Sequence, residues 1–295
     1  MYFGQIVTAM VTPFNEQEEI DYTATENLVE HLISNGTDAV VVAGTTGESA
    51  TLSTCEKIAL FKHVVQIVDG RIPVIAGTGS NNTRESIALT KEAELAGVDA
   101  IMLVAPYYNR PSQEGLYQHF KTISETTHLP IMIYNIPGRT AVNIEVDTIV
   151  RLAEDVDNIV SVKEASADLD AMAEIIERTD KEFTLYSGDD SLTLPVLAIG
   201  GVGIVSVSAH VVGVEMQNMI NAFKSGNVEE AARIHRSLLP TFKAVFSAPS
   251  PTPLKEILNM YGVEVGGVRL PLVPLSETEV QELKKQIHLD VTHAS

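Results

Sequence analysis

A chain of 295 residues is long for one ordinary domain, but α/β barrels fill about 250 residues as a single unit, so one barrel with an appendage fits better than two equal halves. Apolar residues make up 45%, ample for a large core, while 39 acidic against 20 basic side chains leave a formal charge of −19. So acidic a chain repels phosphate backbones and anionic bilayers, which argues against nucleic-acid and membrane-surface roles.

The N-terminal stretch MYFGQIVTAMVTPF has no basic segment ahead of a long apolar core, and no run reaches the ~18 apolar residues that span a bilayer. With a single cysteine, Cys55, no intrachain disulfide can form, and a soluble cytoplasmic protein is expected. Short β-branched runs then recur, each followed by a Gly/Ser/Thr/Asn-rich stretch and a helical pattern, which is the signature of βα units on a parallel sheet. Eight strands are predicted, at residues 6–10, 39–42, 74–76, 100–104, 131–134, 159–163, 184–187 and 202–207. Between them, Ser53 with Glu56 and Asn82 with Glu85 match the capping-box pattern, and Gly36, Gly70 and Gly97 fall where a helix is expected to end. Residues 190–199, closed by Gly200, read as the seventh helix, in which Pro195 implies a kink or a displaced start. Eight such units predict an α/β fold, a (β/α)8 TIM barrel over residues 1–225. The alternation then stops. The eighth barrel helix is expected at about 214–224, and residues 226–295 form a C-terminal helical appendage with Pro-rich bridges at 248–253 and 270–274 and a last helix capped by Ser276 and Glu279.

Barrel enzymes work at the C-terminal ends of their strands. There the sixth strand carries Lys163, with Ser161 on its face and Val160 and Val162 on the other. If the valines pack on helices, Lys163 looks into the barrel, where desolvation favours the neutral amine that attacks ketones; otherwise it snorkels to solvent. Tyr134 ends the neighbouring strand, about 4.8 Å away, and either relays protons above Lys163 or plugs the core. Gly44-Thr45-Thr46-Gly47-Glu48 after the second strand suits a carboxylate nest; the alternative, a tight turn, explains Gly44 and Gly47 but not the paired threonines. Arg139 offers a fork for a second carboxylate or a surface ion pair, and Tyr107 and Tyr108 sit on a proline-bounded loop suited to an interface or lid. Gly188 permits close approach of a substrate, Asp190 is placed to cap the next helix, and Gly200, Gly201 and Gly203 favour backbone packing over a phosphate cradle. No Walker motif, strand-linked GxGxxG or metal-spaced His/Cys/Asp cluster occurs, so neither cofactor nor metal is expected.

TAMVTPF (8–14), GTTGESATL (44–52), APYYNRPSQEGLYQHF (105–120), YNIPGRT (134–140), VKEAS (162–166) and SGDD (187–190) occur in the order in which the dihydrodipicolinate (4-hydroxy-tetrahydrodipicolinate) synthases carry them. The chain resembles that branch of the pyruvate-dependent class I aldolase family over essentially its whole length. The resemblance implies a Schiff-base lyase that condenses pyruvate on Lys163 with L-aspartate 4-semialdehyde, opening the diaminopimelate branch of lysine synthesis. It further implies Thr46 on the pyruvate carboxylate, Thr45, Tyr134 and Tyr108 as a proton relay with Tyr108 entering from a neighbouring subunit, Arg139 on the aldehyde substrate's carboxylate, and Gly188 and Ile204 lining the pyruvate pocket. A homo-oligomer follows, at least a dimer and by family habit a tetramer. N-acetylneuraminate lyase or a 2-keto-3-deoxy-sugar acid aldolase is the alternative, disfavoured by Arg139 and the paired tyrosines; a silent keto-acid-binding barrel is disfavoured by the intact Lys163, Tyr134 and Thr45. Lysine-inhibited relatives carry histidines where this chain has Thr54 and Lys57, so feedback inhibition is expected to be weak or absent.

Overall fold

The computed structural model describes residues 2–287. Strands β1 (Ile6–Ala9), β2 (Ala39–Val42), β3 (Val74–Gly77), β4 (Ala100–Val104), β5 (Ile131–Asn135), β6 (Ile159–Glu164), β7 (Thr184–Ser187) and β8 (Gly203–Ser206) pair in parallel in chain order, and β8 closes onto β1. The predicted barrel is the observed one. Its strands are buried on both faces, which is why they read as continuous apolar runs rather than alternating ones. Val7, Val41, Ile75, Met102, Met132 and Val205 fill the interior, while Val40, Ile101, Ile133, Val162 and Leu185 pack outward against the helices.

Helices α1 (Tyr22–Ser34), α2 (Thr54–Val68), α3 (Thr83–Ala96), α4 (Gln113–Ser124), the single turn α5 (Pro137–Thr140), α6 (Val146–Asp155), α7 (Leu169–Arg178), α8 (Thr193–Ala198) and α9 (Ala209–Lys224) alternate with the strands. Helices α10 (Val228–Ala244), α11 (Thr252–Met260) and α12 (Glu277–Gln286) follow. Ser53 with Glu56 and Ser276 with Glu279 form reciprocal capping boxes. Asn82 differs: its side-chain oxygen accepts from Arg84 N, and its amide donates to Glu85, so Glu85 secures the cap's side chain instead of its backbone.

One helix start departs from expectation, and another takes the displaced start that Pro195 implies. After β8 the chain turns helical at Ala209, whose N–H donates to Ser206 Oγ at 2.8 Å; non-helical Val212 breaks the periodicity that would have revealed this first turn. Before α8 a 3₁₀ turn covers Asp190–Leu192, so Pro195 sits in the first turn of a displaced helix, where its missing N–H leaves no intrahelical bond unmade. Leu254, Ile257 and Leu258 of α11 and the following Val265 belong to the same buried cluster as the outward residues of the barrel, so the region after α9 shares the barrel's core. The predicted appendage extends to 295, and residues 288–295 lie outside the described residues. Among the described residues no helix is long and apolar enough to cross a membrane.

Candidate active site

On β5 and β6, Tyr134 stands directly opposite Lys163. The register depends on a bulge: Ile131 pairs with Ile159 and Met132 with Ser161, leaving Val160 without a partner. Simple alternation is therefore corrected at one residue. Val162 packs outward as expected, but Val160 turns to the interior cluster. Beyond the bulge Lys163 points inward, only 5% exposed, with Nζ 4.1 Å from the centroid of the Tyr134 ring. A Cβ at position 188 would lie 2.5 Å from that of Ala165 and 3.2 Å from Lys163 Cε, so Gly188 makes room for the lysine stem.

Burial shifts the two groups in opposite directions, because in each it disfavours the charged form. The Lys163 amine is pulled down to about 7 by desolvation; buried Asp190 opposes the shift and Arg139 adds to it. The Tyr134 phenol is pushed up to about 12 by desolvation, offset in part by Arg139 and by a hydrogen bond with the Thr45 hydroxyl.

Thr45 and Thr46 lie on the loop after β2, which is folded by Glu48 N–H donating to Thr45 O at 3.1 Å and Ser49 N–H to Gly44 O at 3.2 Å. Thr12 Oγ1 pins Gly47 O at 2.7 Å. A Cβ on Gly77 would meet Ala43 O at 2.5 Å, so glycine lets the loop rest on the end of β3. Thr45 is exposed and Thr46 buried. Arg139, in the single turn α5, lines with Thr45 and Tyr134 a cavity of about 610 Å³ whose walls also include Ser49, Lys57, Glu85 and Tyr107.

The profile of the "Dihydrodipicolinate synthetase family" matches residues 2–289. The chain belongs to the dihydrodipicolinate synthetase family. It is 62% identical to 4-hydroxy-tetrahydrodipicolinate synthase 1 of Halalkalibacterium halodurans, covering 98% of this chain and 97% of that one, and 56% identical to the 4-hydroxy-tetrahydrodipicolinate synthase of Bacillus subtilis, covering 97% and 99%. The crystal structure of a dihydrodipicolinate synthase from Bacillus anthracis superposes with a TM-score of 0.96 at 58% identity, covering 97% of this chain and 98% of that one. As a member of the dihydrodipicolinate synthetase family the chain is a lyase of the Schiff-base, class I aldolase type.

Two residues assigned to the site by resemblance do not turn their side chains into it within this single chain. Ile204 turns its side chain outward, into a cluster with Ile6, Leu197 and Met216, because Gly203 and Val205 take the inward positions of β8; only its main chain can meet a substrate. Tyr108 is 90% exposed on the loop after β4, held at φ +71°, while Asn81 and Asn109 bond across to fasten that loop to the one after β3. Asp190 does not cap: Asp189 accepts from Ser191 N–H, whereas Asp190 is buried and accepts from Ser206 Oγ, Ser208 N–H and Ser208 Oγ. Gly201 and Gly203 serve close packing, with a Cβ at either falling within 2.4 Å of Val196 or the Gln5 backbone. Cys55 is free and exposed.

Sequence reading missed the bond from Asn135 Nδ2 to Glu164, at 2.9 Å, which ties the residues following Tyr134 and Lys163 to one another. It also missed the buried pair of Glu48 and Lys255. Both pairs lack any local signal.

Proposed function

We propose that this chain condenses pyruvate with L-aspartate 4-semialdehyde, the 4-hydroxy-tetrahydrodipicolinate synthase reaction that opens the diaminopimelate branch of lysine synthesis. The observation that carries this reading is a buried lysine amine set 4.1 Å from the centroid of a buried tyrosine ring, with burial lowering the amine's pKa to about 7.

Lys163 Nζ adds to the keto carbon of pyruvate, whose carboxylate is held by Thr46 and the neighbouring backbone beside Gly188 and the main chain of Ile204. The resulting carbinolamine must gain a proton on oxygen and lose water, and Tyr134, linked to Thr45, supplies and recovers that proton. Tyr108 completes the relay from a second copy of the chain, which accounts for a tyrosine left in solvent within one copy. Loss of a C3 proton gives the enamine; its carbon attacks the aldehyde while the Arg139 fork holds the aldehyde substrate's carboxylate. The substrate's own amine then closes the ring and displaces Lys163, so the enzyme amine is regenerated without a cofactor. The working form is a homo-oligomer, a dimer at least and a tetramer by family habit, in the cytoplasm, with residues 1–225 as the catalytic barrel and 226–295 as its helical appendage.

Intact-mass spectrometry after borohydride reduction with pyruvate tests the reading. A pyruvyl adduct on the unmutated protein that is missing from Lys163→Ala is expected, with discharge of the enamine by L-aspartate 4-semialdehyde and not by N-acetylmannosamine, the aldehyde partner in N-acetylneuraminate lyase chemistry. An unmutated protein that forms no adduct refutes it.

A further inference from the structure

Glu48 and Lys255 form an ion pair at 2.7 Å in which each side chain is 2% exposed, and the chemistry above uses neither. Lys255, in the first turn of α11, also donates to Gly267 O at 2.6 Å and lies 4.2 Å from the centroid of the Phe14 ring. The second carboxylate oxygen of Glu48 accepts from Arg269 N–H at 3.0 Å. Arg269 continues the connection, donating to Thr51 O at 3.0 Å, Glu18 O at 2.8 Å and Glu56 at the start of α2. The loop carrying Thr45 and Thr46 is thus held at its middle and its far end by the segment after α9.

Three considerations make this more than packing. Glu48 has φ +56°, a left-handed conformation that a glutamate adopts only when its surroundings over-determine it. Its N–H donates to the carbonyl of Thr45, so displacing Glu48 displaces the relay threonine. A buried ion pair is a poor source of stability compared with apolar residues of the same volume, so its presence calls for a role in placement.

We propose that Glu48 and Lys255 are positioning residues, through which the C-terminal helical region fixes the Thr45–Thr46 loop at the height where Thr46 meets the pyruvate carboxylate and Thr45 reaches the Tyr134 phenol. The proposal rests on the reading of pyruvate chemistry above and deepens it by giving the appendage a part in substrate binding.

The test uses the full chain with Lys255→Met, Glu48→Gln and the double variant, each checked for folding by circular dichroism and then trapped with borohydride across a range of pyruvate concentrations and pH values. In the single variants the half-saturating pyruvate concentration rises about tenfold or more, as expected for a binding group displaced by a fraction of an ångström to an ångström. The pH midpoint of trapping, which reports Lys163, stays put, and the double variant, with no unpaired charge, regains part of the loss. Folded variants that bind pyruvate as the unmutated protein does overturn the proposal. So do variants that all fail to fold, since the pair would then be a determinant of the whole fold. Absence of an adduct on the unmutated protein marks instead a failure of the underlying reading.

Discussion

The pH dependence of imine formation follows directly from the burial of Lys163. Its amine falls from an ordinary value of 10.5 to about 7, a change equivalent to about 5 kcal/mol between the two protonation states. At pH 7 about half of it is neutral, against roughly 3 in 10,000 for a solvated lysine, an advantage of about 1,600-fold in attacking species. The rate of borohydride trapping with saturating pyruvate should therefore climb through a midpoint near 7 and level off above it. Replacing Asp190 by Asn removes the anion that favours the protonated form and moves the midpoint lower; replacing Arg139 by Met removes a like charge and moves it higher. Using pyruvate alone keeps the role proposed for Arg139, on the aldehyde substrate, out of the measurement. A midpoint above about 9 in the unmutated protein, or shifts of the same sign in both variants, would refute the electrostatic reasoning.

The same burial makes Lys163 a burden on folding. Between about pH 7 and 10.5 the unfolded chain holds a proton that the folded one does not, so this unfavourable contribution is full below pH 7 and vanishes above 10.5. Lys163→Met should accordingly raise the urea midpoint at pH 7, by up to about 5 kcal/mol in stability, with the gap narrowing toward pH 10; an unchanged gap would show that the lysine is solvated. His119 and His210 are each held neutral by burial with pKa values lowered to about 4, and His210 accepts from Val11 N–H while bonding Val207 O. Stability should fall by about 2 kcal/mol per histidine between pH 7.5 and 5, because the unfolded chain takes up protons first; His210→Gln should lower stability at pH 7.5 yet flatten this slope in urea titrations. Lys57 lines the cavity along with Glu85, whose charge it offsets, so a cationic ligand there meets a like charge. Submillimolar lysine should leave the steady-state rate unchanged, and inhibition in that range would overturn the expectation.

The barrel was legible because strands buried on both faces are largely apolar, and eight such runs separated by capped helices leave little choice of architecture. The candidate site was legible where its residues sit at strand ends, as with the paired Lys163 and Tyr134, since the barrel rule says where to look. What escaped depends on hydrogen-bond detail or on contacts between distant residues. The bulge that frees Val160 leaves no mark in a run of β-branched residues, yet it alters which side chains face the interior after Ile159. For Ile204 the alternation with Val205 directs the side chain outward, which leaves its main chain as the part that can line the site. Glu48 and Lys255 meet across most of the chain, so nothing near either residue announces the pair.

Lys163 and Tyr134 are best understood as a single device. One cause, removal of water from both, acts on a base and an acid, and so moves their pKa values apart, to about 7 and about 12. Throughout that interval both groups are predominantly neutral, which is the combination the proposed first step needs: a lone pair on nitrogen to attack the ketone and a phenolic proton to meet the oxygen as it takes on charge. An exposed pair would keep the phenol neutral at pH 7 but leave the amine protonated and unable to attack. The register of β5 against β6 keeps the two side by side, and the bond between Asn135 and Glu164, one residue beyond each, braces that register on the far side of the strands. Exchange of Tyr134 for Phe should preserve the packing and the amine's burial while removing the transferable proton. Trapping should then slow by about a hundredfold or more with its midpoint still near 7, and a variant that traps at the unmutated rate would assign the proton to another group.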